Sequence, residues 1–160
     1  MPQAVALWDA VAEVGGTASL APERRVLALL REMGLRNESI TRSVATSLLR
    51  AGQAAEAARA LQPFEDSADP ATQVALGETA TATGRFAAAE ARFRKALAAE
   101  PDWPEAHLGL GILRLTEGRP GEAQPWLEKA VERDPGLAQA WNGLGVVRAQ
   151  AGNVHGAIEA

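Results

Sequence analysis

Residues 70–103 read PATQVALGETATATGRFAAAEARFRKALAAEPDW, residues 104–137 read PEAHLGLGILRLTEGRPGEAQPWLEKAVERDPGL, and residues 138–160 read AQAWNGLGVVRAQAGNVHGAIEA. Laid one beneath another, they agree at a constant offset of thirty-four. Gly84, Gly118 and Gly152 fall in register, as do Leu76, Leu110 and Leu144, then Gly77, Gly111 and Gly145, then Ala89, Ala123 and Ala157. Ala96 matches Ala130, and Pro101 matches Pro135. Self-similarity at this spacing marks a solenoid, because so short a unit cannot bury its own apolar face and must lean on its neighbour.

Each unit reads as two helices. Asp69 supplies an N-cap and Pro70 a first helical residue whose missing N–H is not needed there. Val74, Leu76 and Ala80 follow, and Gly84 stops the helix in a C-cap position. A second helix starts near Phe86, carries Ala89, Phe93, Ala96 and Leu97 on one face, and ends at Pro101. Trp103-Pro104 opens the next pair, with Leu108, Leu110, Ile112 and Leu115 before Gly118, and Ala123, Leu127, Ala130 and Val131 before Pro135. The third has Ala138, Trp141, Leu144 and Val147 before Gly152, where a second helix is expected to begin and be cut short. Glycines inside helices cost about 1 kcal/mol against alanine. Gly77, Gly111 and Gly145 therefore need a reason, and the expected one is a close crossing of backbones against Ala89, Ala123 and Ala157.

Leu-Gly at 76–77, 110–111 and 144–145, Trp141, the recurring alanines, Phe93 and the closing prolines resemble the tetratricopeptide repeat family over residues 70–160. The fold so implied is an all-α, right-handed superhelical solenoid of antiparallel helix pairs, with repeats at 70–103, 104–137 and an incomplete 138–160. Two departures stand out. Ala80, Arg114 and Arg148 occupy a position that is usually aromatic, which predicts looser packing between helices. Pro120 suits a first helical turn, but Pro125 removes a backbone bond and predicts a kink or a late start.

Upstream, Gly52, Ala57 and Leu61 repeat the spacing of Gly84, Ala89 and Phe93 at an offset of thirty-two, which gives a diverged unit over 38–69. Leu7, Trp8 and Val11 before Gly15-Gly16, then Val26, Leu27 and Leu30 before Gly34, read as a further pair over 1–37. Its loop through Ser19 and Pro22 is long, and the pair is either a degenerate repeat or a cap.

Composition agrees with an all-helical reading, since apolar residues make up 47% of the chain and aromatic residues only 4%. The net charge of −4 comes from 20 acidic and 16 basic residues that alternate along the sequence, so no nucleic-acid partner is expected. The Arg24-Arg25 pair reads as a solvated helix face. There is no cysteine, no basic signal-like N-terminus and no apolar run long enough for membrane insertion, and the default compartment is cytoplasmic.

No catalytic constellation is visible, and neither an enzymatic activity, a cofactor nor a metal is expected. His107 and His155 have no ligand-type partners at metal spacing. His107 holds the position of Gln73 and Trp141 in the flanking units and reads as a packing or groove-edge residue. Glu56, Glu90 and Glu122 fall near second-helix starts, where they favour the helix dipole.

What the family resemblance implies is a scaffold that binds a protein or peptide, an extended segment or a partner helix, in a concave groove lined by the first helices. Carried over by position, the lining residues are Val74, Glu78 and Thr81, then Leu108, Ile112 and Leu115, then Asn142, Val146 and Ala149. These are mainly apolar and include no lysine, so a hydrophobic or backbone-reading groove is expected. The competing reading is the repeat portion of a larger enzyme or regulatory protein. Val147, Val154 and Ile158 are expected to be exposed at an uncapped end, and a chain stopping there is expected to self-associate through it.

Overall fold

A computed structural model of the chain describes residues 2–14 and 20–158. The order is α1 (Pro2–Glu13), α2 (Ala21–Glu32), α3 (Glu38–Arg50), α4 (Ala54–Leu61) with a short 3-10 turn (Gln62–Phe64), α5 (Pro70–Ala82), α6 (Phe86–Ala99), α7 (Pro104–Thr116), α8 (Pro120–Arg133) and α9 (Ala138–Ile158). No strand occurs among the described residues. Each odd-numbered helix up to α7 packs most extensively on the helix that follows it. The first helices also touch in sequence, α3 on α5, α5 on α7 and α7 on α9. The chain is an all-α helical repeat solenoid.

Local chemistry sets these boundaries. The Asp69 carboxylate accepts the Thr72 N–H at 3.1 Å and begins α5. Gly34, Gly52, Gly84 and Gly118 all adopt positive φ, between 63° and 76°, a region that excludes most side chains. At Gly84 the amide donates to the Thr81 carbonyl at 3.0 Å and Arg85 donates to Ala80 at 2.8 Å, and Gly118 with Arg119 repeats the pair on Leu115 and Arg114. These bonds satisfy the last carbonyls of the first helix while turning the chain back.

Gly152 does not follow them. It lies inside α9 without a left-handed backbone, and the helix runs on to Ile158. Pro22 also departs from expectation. It sits in the first turn of α2 and not in the connecting loop, a place where proline leaves no donor unsatisfied. The α8 helix begins at Pro120 with no late start, and Pro125 is tolerated on its exposed side above Gly121. Gly15, Gly16 and Ser19, and the side chains of Trp8, Val154, His155, Ala157 and Ile158, lie outside the described residues.

The core is a chain of three overlapping clusters. Leu7, Val26, Leu30, Val44, Leu48 and Leu61 join α1 to α4 and reach Ala75 and Leu76 of α5. Val74 and Ala80, on the same α5, belong to a second cluster with Phe93, Leu110 and Leu113. Leu108 of α7 joins Leu127, Leu144 and Val147 in the third. Each shared helix is buried on two sides, so no pair is complete without its neighbour. Val147 is accordingly core, only 5% exposed, because it packs on α8; it is not part of an open end.

The helical glycines serve these junctions. A Cβ at Gly77 would come within 2.6 Å of the Phe93 ring, and one at Gly109 within 2.3 Å of the same ring. Thirty-four residues on, a Cβ at Gly111 would meet Leu127 at 2.6 Å and one at Gly143 would meet it at 2.9 Å. The large side chain of α6 and that of α8 are thus each received between two glycine notches, one on the preceding first helix and one on the next. The alanine crossing expected at these glycines is secondary: the Ala123 carbonyl lies 3.5 Å from a Cβ at Gly111, and at Gly77 the obstacle is Phe93. Gly145, in the same register, faces no described atom within 4 Å.

Glycines aligned by sequence should therefore differ in sign. Gly111→Ala overpacks against Leu127 and should destabilise the chain by roughly 1–3 kcal/mol. Gly145→Ala should stabilise it by about 1 kcal/mol, from helix propensity alone. Urea denaturation of both variants checks this, and equal shifts would contradict the notch.

Candidate functional site, the inner groove

The first helices line a groove. A cavity of about 550 Å³ is bounded by Glu78 and Thr81 of α5, Leu108, Ile112 and Leu115 of α7, and Asn142 and Val146 of α9. Seven of the nine residues expected to line a groove meet there. Val74 is instead core, 6% exposed, and reaches only an adjoining cavity of about 680 Å³. Ala149 is exposed on α9 and does not line the cavity. Leu108 is largely buried and forms the floor, Leu115 is half-buried, and Ile112 and Val146 are 37% and 46% exposed. Leu49 and Arg50 of α3, the edge of Phe93, and Gln139 complete the wall; sequence position had not marked them.

The adjoining cavity is more polar. Arg42, Ser43, Thr46, Ser47 and Glu105 line it together with Trp103, and it shares Arg50 and Glu78 with the apolar half. The two hollows therefore form one trough, polar toward the N-terminal helices and apolar toward α9. Loss of hydration inside it raises the pKa of Glu78, Arg50 opposes that rise, and the Glu105 carboxylate adds to it. Arg42 is anchored at the wall by an ion pair with Asp69.

The trough is held in shape by bonds at the seams between pairs. Arg114, 9% exposed in its side chain, reaches Glu117 at 2.7 Å, Glu90 on α6 at 2.9 Å and Glu122 on α8 at 3.9 Å. The hydrogen bonds that it donates to Glu117 and Glu90 raise its pKa and hold it as a cation. The looser packing expected at this position is thus replaced by a buried ion cluster joining three helices. Glu90 and Glu122 are occupied there, and Glu56 accepts two bonds from Arg24, so each pairs with a cation beyond any effect on the helix dipole.

The recurring position 73, 107 and 141 has one task carried out by three chemistries. The Gln73 amide donates to the Ser67 carbonyl at 2.6 Å, His107 Nε2 lies 3.0 Å from the Pro101 carbonyl, and the Trp141 indole donates to Pro135 at 2.9 Å. Each spans six residues back and clamps the turn that joins one pair to the next. His107 is buried and stacks on Trp126, with ring centroids 5.8 Å apart. Burial lowers its pKa below the ordinary 6.5, the Pro101 bond opposes this, and Lys129 and Arg133 reinforce it.

Among the described residues no three His, Asp or Glu side chains gather as a metal site would require, and no helix is long and apolar enough to cross a membrane. A row of paired helices with an open trough along its first helices defines a helical repeat protein. The sequence pattern of the tetratricopeptide repeat matches residues 74–138 and 111–160, more than half of the chain, and the chain belongs to that family. No curated protein sequence matches it. Among solved structures, a thermophilic tetratricopeptide repeat protein of Thermus thermophilus superposes with a TM-score of 0.74 at 16% identity, covering 92% of this chain and 84% of its own. MamA gives 0.64 at 20% identity, over 82% and 77% of the two chains. YrrB, described as having an unusual peptide-binding site, gives 0.60 at 17% identity, over 79% and 75%. These similarities establish a shared fold, one that generally mediates protein–protein interaction.

Because the folded chain keeps His107 neutral to lower pH than the unfolded chain does, the unfolded state takes up the proton first as pH falls. The stability this ring contributes is full above about pH 6.5 and is lost below it. His107→Gln should keep the clamp, as Gln73 does, and flatten the fall in denaturation midpoint between about pH 7.5 and about pH 5. A parallel fall in variant and wild type would contradict this origin.

Proposed function

We propose that the chain is a non-enzymatic interaction scaffold that binds a peptide segment or a partner helix in the trough, with apolar residues of the partner seated on Leu108, Ile112, Leu115 and Val146. The observation that carries this reading is the meeting of these side chains in one open cavity of about 550 Å³. Ile112 and Val146 remain substantially exposed although both stand on helices otherwise packed into the core. An apolar strip kept open between packed helices is the usual mark of a partner site. Thr81 and Asn142 at its edge supply a hydroxyl and an amide for a partner backbone. Where the strip ends, Glu78 and Glu105 stand beside Arg50, while the other guanidinium there, that of Arg42, is paired with Asp69; this balance favours a basic residue on the partner next to its apolar stretch.

The reading is tested on exposed positions, so that the fold is not at stake. Ile112→Glu combined with Val146→Glu should reduce recovery of a co-purifying partner by about tenfold or more, while the circular dichroism spectrum stays helical. Recovery equal to wild type from the double variant would reject the trough as the binding surface.

A further inference from the structure

Charges that alternate along the sequence do not alternate in space. Arg24 and Arg31 on α2, Arg36 in the turn after it and Arg59 on α4 converge on one hollow of about 580 Å³. It is built on the second helices of the first two pairs, whereas the trough is built on the first helices, and the two share no lining residue. Among the described residues the only carboxylate lining the hollow is Glu56, which accepts two bonds from Arg24 at 3.2 and 3.1 Å. Arg36 is held by the Pro63 carbonyl at 2.6 Å and lies 5.8 Å from the centre of the Phe64 ring, neither of which neutralises it. Arg31 and Arg59 are exposed and form no ion pair within 4.0 Å among the described residues. Among the described residues, three positive charges, those of Arg31, Arg36 and Arg59, thus face one hollow without an ion pair, in a chain whose net charge is −4.

We propose that this hollow is a second binding site, for an acidic peptide segment that carries an apolar side chain between its carboxylates. Guanidinium groups present paired N–H donors that match a carboxylate two bonds at a time. Arg24 and Arg36 are already held in place by protein groups, so fewer side chains have to be ordered on binding. The floor decides the class of ligand. Leu27, Leu35 and Phe64 line it, and Leu35 is 47% exposed, an apolar surface that a free phosphate cannot cover. A nucleic-acid backbone requires cations tracking along a stripe, and here they ring a single depression. The site is independent of the trough, and either can hold if the other fails.

The experiment uses the full chain and a fluorescein-labelled octapeptide of alternating glutamate and leucine, followed by fluorescence anisotropy. Saturable binding that weakens as salt is raised is expected. Arg31→Glu combined with Arg59→Glu should weaken it by about tenfold or more, as should replacing the glutamates of the probe by glutamine. The Ile112→Glu, Val146→Glu variant should bind the probe as wild type does, which separates this site from the trough. Absence of saturable binding, unchanged affinity in the arginine double variant, or displacement of the probe only in the trough variant would overturn the proposal. Displacement by inorganic phosphate or by a single-stranded oligonucleotide at concentrations no higher than unlabelled peptide requires would also overturn it, assigning the arginines to phosphate.

Discussion

The structure depends on one steric fit, the insertion of Phe93 and Leu127 into notches made by glycines on the helices either side of them. A helix interior normally avoids glycine, since it forgoes about 1 kcal/mol against alanine. Here the missing side chains let two first helices close on one large residue from the second helix between them. Phe93 is 1% exposed and Leu127 fully buried, so the contact removes nearly all of their surface from water. Because each notch joins one pair to the next, the same contact that completes a unit also sets its angle to its neighbour.

From that stacking the surface features follow. First helices aligned side by side leave a trough whose floor is Leu108 and whose walls are the exposed edges of α5, α7 and α9. Second helices aligned behind them bring distant arginines to one hollow. The seams between pairs are stiffened by polar groups: the recurring side-chain clamp at positions 73, 107 and 141, and the single Arg114 ion cluster across α6, α7 and α8. A buried cation of this kind is useful mainly for fixing geometry, since its desolvation offsets much of its attraction to the carboxylates.

The period of thirty-four residues was legible because alanine, glycine and proline recur for backbone reasons that leave little freedom of choice. The left-handed turns at Gly84 and Gly118 and the cap at Asp69 could be read directly. Gly109 and Gly143 recur at the same offset and form half of each notch, yet spacing alone does not say which side chain a glycine makes room for. Gly152 carried the same signal as Gly84 without the same outcome, since it lies inside α9 and lacks the left-handed backbone of the turn glycines. Seven groove residues were found by position, while Leu49, Arg50 and Gln139 were not, since they come from a diverged unit and from the start of α9. The arginine hollow could not be read at all, as residues spread from 24 to 59 meet only through the packing of α2 on its neighbours.

The most direct measurement is native-state hydrogen exchange of the wild type beside Phe93→Ala. If the notch couples one pair to the next, protection should fall in both α5 and α7, which flank the ring, while amides in α2 and α3 keep wild-type protection. Loss confined to α6, with α5 and α7 unchanged, would contradict the account, because the ring would then be holding nothing but its own helix.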